Sequence, residues 1–332
     1  MRSSLTQNLS LLPNEVLSIL ILALDRPAQL DLARVDKHLR SLCLPVIFKS
    51  ISITFSTSSF KRLEHLATSH LSEYVKILEY KTTGLLLPCV SDPDIFESEI
   101  YTPEDFRDDQ RDGIWVSDID YQDVQPTMGD IAKDQNMVLD NGTDFSTLVV
   151  FLFKNLYLKK FVFQYTCPLD SLQDWYPIRE RESGLRSIEQ SFERHFTASF
   201  HAMRLKGMIS PIRSLEIFNV WQDIGKRYYE LFQEVLRRVR ELHLHDAHVF
   251  KTIAKHIDTP SLRTFKLDSV EIQLDLLEVF CKKNHQNLGT LHLRTTYFQR
   301  QIKGQEDGGK DAPPSLLQDF YKIGKSECVC TS

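Results

Sequence analysis

VRELHL, residues 239–244, is one of seven short stretches built on a single pattern: apolar, two variable residues, apolar, one variable residue, apolar. The others are FKSISI (48–53), VKILEY (75–80), LKKFVF (158–163), IRSLEI (212–217), LRTFKL (262–267) and LGTLHL (288–293). The last three residues of each alternate in, out, in, the mark of a short strand with one buried face. Their central apolar residues are Ile51, Leu78, Phe161, Leu215, Leu242, Phe265 and Leu291, separated by 27, 83, 54, 27, 23 and 26 residues. Four of the intervals agree with one period, and 54 is twice 27.

The long interval has its own explanation. Residues 90–145 carry sixteen Asp and Glu against Arg107, Arg111 and Lys133, a local net charge of −13 in a chain whose total is −5. Without these 56 residues the interval of 83 becomes 27. Pro93, Pro103 and Pro126 are spaced along the segment, and Phe96, Tyr101, Phe106, Trp115 and Tyr121 are isolated among its charges. Such a composition predicts a flexible excursion, partly ordered by its aromatic residues, that shades the strand face without being a repeat. In the interval of 54, LRSIEQ (185–190) falls on the period. Gln190 would then point inward, so this stretch reads as helix.

Between the strands lie amphipathic helix candidates at 227–239, 249–257 and 273–283. In the first, Tyr228, Leu231, Val235 and Leu236 share one side. Strand, turn and helix at this period resemble degenerate leucine-rich repeats, whose units run about 20–29 residues. They are degenerate because Val220, Ala247, Val270 and Thr296 stand where that family carries Asn. An irregular α/β domain is the alternative. The resemblance implies a curved array with an extended ligand face. Its outward rows would be Glu216, His243, Lys266 and His292, then Phe218, His245, Asp268 and Arg294.

The N-terminal region differs. In LLPNEVLSILILAL (11–24), eight of the nine residues from Val16 to Leu24 are apolar. Pro13 suits a first helical position and Glu15 a first turn. A helix apolar all round requires burial on every side, in a core, a membrane or a partner. A second helix is expected from near Ala28, with Leu30, Val35, Leu39 and Leu42 on one face, closed by Cys43-Leu44-Pro45. Residues 12–42 resemble an F-box, whose pattern is Leu-Pro-x-Glu followed by spaced apolar residues. Leu12, Pro13, Glu15, Val16, Leu17, Leu20 and Leu24 fit that pattern, and Leu30, Val35 and Lys37 fill its later positions. Leu39 departs from it, since many members carry Trp there. The resemblance, of the fungal kind with repeats behind the F-box, implies that Leu12, Pro13, Glu15, Val16, Leu17, Leu20, Leu24, Leu30, Val35 and Leu39 contact a Skp-type adaptor of a cullin–RING ubiquitin ligase. An ordinary buried helical hairpin is the alternative.

The expected architecture is therefore α/β: F-box-like helices over 1–46, a degenerate leucine-rich-repeat-like domain over 47–325, and a frayed tail over 326–332 holding Cys328 and Cys330. HLHDAH (243–248) is the densest set of metal-ligand residue types, and in a strand His243 and His245 share a face near Asp246. Zinc wants further ligands with supporting hydrogen bonds, and no motif supplies them, so a solvated strand face is expected and no metal. No phosphate-cradling Gly-rich loop, nucleophile elbow or HExxH is present, so no catalytic residue and no cofactor are expected. The six cysteines form no C-x-x-C pair and are too sparse for a disulfide scaffold, which favours the cytoplasm or nucleus. A net charge of −5 argues against a general nucleic-acid binder. The apolar run, broken by Ser18 and closed by Asp25-Arg26-Pro27, is too short for a membrane span and lacks the cleavage site of a signal peptide. The expectation is a non-catalytic substrate-recognition subunit of a ubiquitin ligase, with an unknown protein substrate. A repeat adaptor outside any ligase is the alternative.

Overall fold

The computed structural model describes residues 12–113, 120–165, 184, 186–220, 224–245, 247–268, 271–294, 297–299 and 328–331, the last two segments as backbone. The protein is α/β. Strands β1 (Ser50–Thr54), β2 (Ile77–Thr82), β3 (Lys160–Tyr165), β4 (Ser214–Phe218), β5 (Glu241–Leu244) and β6 (Thr264–Asp268) stand side by side in chain order, all parallel. After a short strand β7 (Glu271–Gln273), β8 (Thr290–Arg294) continues the same sheet, and β9 (Tyr297–Gln299) pairs with β7 beside it. The register is uniform. Ile51, Leu78, Phe161, Leu215, Leu242, Phe265 and Leu291 face one another across all seven strands in one continuous row.

Each strand buries its alternate residues beneath helices. Helices α1 (Asn14–Ala23), α2 (Arg26–Val35) and α3 (Lys37–Ile47) precede the sheet, and α4 (Thr57–Thr68) joins β1 to β2. Helices α5 (Pro103–Arg111), α6 (Tyr121–Asn141) and α7 (Thr143–Lys154) lie between β2 and β3, and α8 (Ile188–Gly207) between β3 and β4. Then α9 (Tyr229–Leu236), α10 (Ala247–His256) and α11 (Leu274–Asn284) fall between β4 and β5, β5 and β6, and β7 and β8. The three helix candidates of the C-terminal half and the helical reading of 185–190, from Ile188 on, agree with this. One apolar core runs the length of the sheet, from Ile51 and Phe60 to Phe280 and Leu293. Aromatic rings fill its centre: Phe196 stacks on Phe200 at 4.0 Å and Phe200 meets Phe232 edge-on at 5.4 Å. Such rings bury large areas and dominate core energetics.

The acidic segment departs from expectation. Residues 88–113 and 120–154 are largely helical, beginning with single turns at Pro88–Ser91, Pro93–Ile95 and Phe96–Ile100. Pro93 and Pro103 occupy first helical positions, where the missing N–H costs nothing. Asp94, Glu104 and Asp105 sit in first turns, where the helix dipole favours negative charge. Thr102 and Asp105 close a reciprocal capping box. The residues that suggested disorder thus start helices. The segment has a small core of its own (Leu86, Val90, Phe96, Ile100, Tyr101, Phe106, Val124, Met128 and Ala132), whereas Val138, Leu148, Phe151 and Leu152 belong to the main core. The boundary expected at 145 therefore cuts through the crossover; Trp115 lies outside the described residues. Gly142, at φ 57°, makes the left-handed turn from α6 into α7 that a side chain would strain.

Two smaller expectations also change. Cys328–Thr331 is strand β10, antiparallel to β8, so this part of the tail is not frayed. The second N-terminal helix is two helices, α2 and α3, because extended Asp36 accepts the Leu39 N–H at 2.8 Å and caps α3.

Candidate binding surfaces

Helices cover one face of the sheet. The other carries the outward rows, and there the structure gathers five of the eight expected ligand residues. Glu216 of β4 stands in register with His243 of β5, which stands in register with Lys266 of β6. Glu216 is 8 % exposed, and its carboxylate has three neighbours. His243 Nδ1 lies 2.8 Å and His245 Nε2 3.2 Å from Oε1, and Lys160 of β3 pairs with Oε2. His243 Nε2 lies 2.9 Å from Asp268 Oδ2 on β6. Each nitrogen of the His243 ring thus faces a carboxylate. The Phe218 ring stacks on His245 at 3.7 Å, and Asn219, at φ 57°, turns the chain away directly after it. Asn tolerates that left-handed conformation better than most residues.

Burial would raise the Glu216 pKa, but hydrogen bonds from His243, His245 and Lys160, together with the Lys160 charge, outweigh it and hold the carboxyl well below the usual range. The expected solvated face is therefore a partly buried network, in which Glu216 serves as acceptor for three cationic or N–H groups. Lys266 and His292 continue the row toward β8, and Arg294 stands in register with Asp268. Asp246 lies outside the described residues. Lys160 was missed, although LKKFVF places it at the third position of its unit, on the outward side. Glu216, His243 and His245 offer donor atoms within 4.8 Å of one another and are the residues that could hold a metal ion. Lys160 opposes this, since a dication there would sit beside its ammonium. Among the described residues the network offers a polar, aromatic-flanked surface suited to binding.

The second surface is N-terminal. Ile21, Ala33, Cys43 and Ile47 form a small core for α1–α3, and the buried Gln29 amide donates to the carbonyls of Ile21 and Leu24 at the end of α1. Within the chain α1 is covered on one side. It buries Leu17 and Ile21 and leaves Val16, Ile19, Leu20 and Leu22 exposed, Ile19 by 67 %, with Leu24 exposed just after it. Leu30 and Val35 of α2 are exposed too, as are Pro13 and Glu15, and Leu12 is half-buried. Leu17 and Leu39 differ from the others expected on this surface: at 1 % and 0 % exposure both pack inward. Leu39 thus lies in the module's interior. Among the described residues no helix is long and apolar enough to cross a membrane. No protein-family model matches the chain, and no curated protein is significantly similar to it.

Proposed function

We propose that the chain is the substrate-recognition subunit of a Skp–cullin–F-box type ubiquitin ligase, acting in the cytoplasm or nucleus. In this reading α1–α3 are an F-box that docks on a Skp-type adaptor, and the strand–helix array is a degenerate leucine-rich-repeat domain that holds a protein substrate. The observation that carries it is the exposed apolar surface of α1 and its C-terminal end: Val16, Ile19, Leu20, Leu22 and Leu24 face outward from a module already closed by its own core. Exposed apolar surface of this kind marks interaction sites. The seven strand units in one register, with an open polar face, support the second half of the reading. Such a subunit needs no catalytic residue. It raises the effective concentration of substrate near a ubiquitin-loaded enzyme.

The test is co-expression with a Skp-type adaptor. The wild-type chain is expected to co-purify with it, and a Leu20→Glu, Leu24→Glu variant to lose it while keeping its circular dichroism and melting temperature. Wild type that never captures the adaptor, or a variant that captures it equally, would remove the ligase assignment. A chain that then still bound a protein through its open face would be a repeat adaptor outside any ligase.

A further inference from the structure

The residue that precedes the first row of the sheet is basic in six neighbouring strands: Lys49, Lys76, Lys159, Arg213, Arg240 and Arg263, with Gly289 in the seventh. Their main chains extend the sheet by one rung. Each N–H from Lys76 to Arg263 donates to the carbonyl of the preceding member, at 2.8–3.1 Å. Neighbouring strands lie about 4.8 Å apart, so the six form a cationic row roughly 24 Å long on the edge where the strands begin. All are exposed except half-buried Lys76, and among the described residues none pairs with a carboxylate. Lys76 donates to the Glu73 carbonyl and lies over the Tyr157 ring. Burial and the Lys159 charge lower its pKa, against the pull of Glu73, as expected for like charges on adjacent strands.

Cations in the last turns of α7, α8, α10 and α11 are accounted for by the helix dipoles. The row is not, because its members stand directly before the strands and outside those last turns. Beside Arg213 a cavity of about 450 Å³ is lined by Met203, Arg204, Met208, Ile212, Arg237 and Arg238, among others. Its acid, Glu234, lies 3.5 Å from Arg204. Apolar residues are exposed along the same edge: Met208 by 74 %, then Ile209, Leu156 and Tyr157. The acidic segment leaves from the opposite edge, where Asp134 accepts the Thr57 N–H just beyond the end of β1.

We propose that this edge binds an extended acidic segment of a partner protein, its carboxylates on the cationic row and its apolar side chains in the cavity beside Arg213. Charge complementarity gives the sign of the partner, and the exposed aliphatic residues give its apolar part. A single-stranded nucleic acid would want a series of aromatic platforms along the row, and among the described residues Tyr157, with Lys76 over its ring, is the one that edge exposes. The inference deepens the substrate-receptor reading by naming a substrate class, and it rests on that reading only for calling the segment a substrate.

The experiment uses the full chain without adaptor, so its outcome is separate from adaptor binding. A fluorescein-labelled Glu- and Asp-rich peptide carrying Leu and Phe is titrated by anisotropy. The expected result is saturable binding that weakens with salt, falls at least tenfold in an Arg213→Glu, Arg240→Glu, Arg263→Glu variant, and falls several-fold in Met208→Ser with Ile209→Ser. Lys61→Glu, on the exposed side of α4, should leave binding unchanged, and circular dichroism checks that each variant folds. No binding, equal binding by the triple variant, or tighter binding of oligothymidylate than of the peptide would overturn the proposal.

Discussion

At the scale of single residues, His195 and Glu216 show how burial and partners set charge. His195 is fully buried; it donates from Nε2 to the Thr83 carbonyl at 2.8 Å and accepts at Nδ1 from the Tyr80 hydroxyl at 3.3 Å. Burial pushes its pKa down to about 3; the Thr83 carbonyl opposes this and the Arg194 charge adds to it. Above pH ~6.5 the ring is neutral in both folded and unfolded chains. Between there and about pH 3 only the unfolded chain takes the proton, so stability falls as pH falls, by up to about 1.4 kcal/mol per pH unit. Urea unfolding of His195→Gln is expected to show a flatter pH dependence than wild type between pH 6.5 and 4.5, and parallel curves would refute this account. For the Glu216 network, elemental analysis of the purified chain should find no stoichiometric zinc, because the Lys160 ammonium holds the same carboxylate. One zinc per chain, lost on His243→Ala, would show that the metal displaces that lysine.

At the scale of elements, the crossover between β2 and β3 has two parts of different weight. Phe151 of α7 is fully buried in the main core, whereas Phe96 lies in the smaller acidic cluster. Phe151→Ala is expected to cost about 3–5 kcal/mol in denaturant unfolding. Phe96→Ala should shift the same transition by less than half as much, and equal shifts would mean that the segment and the sheet unfold as one. The prolines and acids of this segment were legible as composition but not as structure. Helix-starting and disorder-promoting compositions overlap, and what separates them here is burial of Phe96, Tyr101, Phe106 and Met128 against one another. The N-terminal helices were legible in position. Which of their leucines face outward was not, since eight apolar residues in nine carry no periodicity to read.

At the scale of the whole molecule, a parallel sheet in chain order gives each strand contacts chiefly with its sequence neighbours. The central strands have a partner on each side and aromatic rings packed over them, while among the described residues β1 is paired on one side. Hydrogen exchange is therefore expected to be slowest in β3, β4 and β5 and faster in β1 and β10. Fastest exchange at the centre would contradict this arrangement. The charge is also polar across the molecule: the acidic segment lies beyond the ends of the strands and the cationic row lies where they begin.

The sequence by itself determined the strand units, their period and the alternate residues of each that face the core, because alternation of apolar and polar residues is a local property of an extended chain. Ile51 to Leu291 could be named before any coordinate was known, and they stand in one row. Lateral placement belonged to the tertiary structure alone. Glu216 meets His243, His245 and Lys160, and six basic residues align into one edge, only because hydrogen bonds between strands far apart in sequence fix the register. Whether an apolar or acidic stretch is buried was also decided there, since burial depends on what the rest of the chain brings against it.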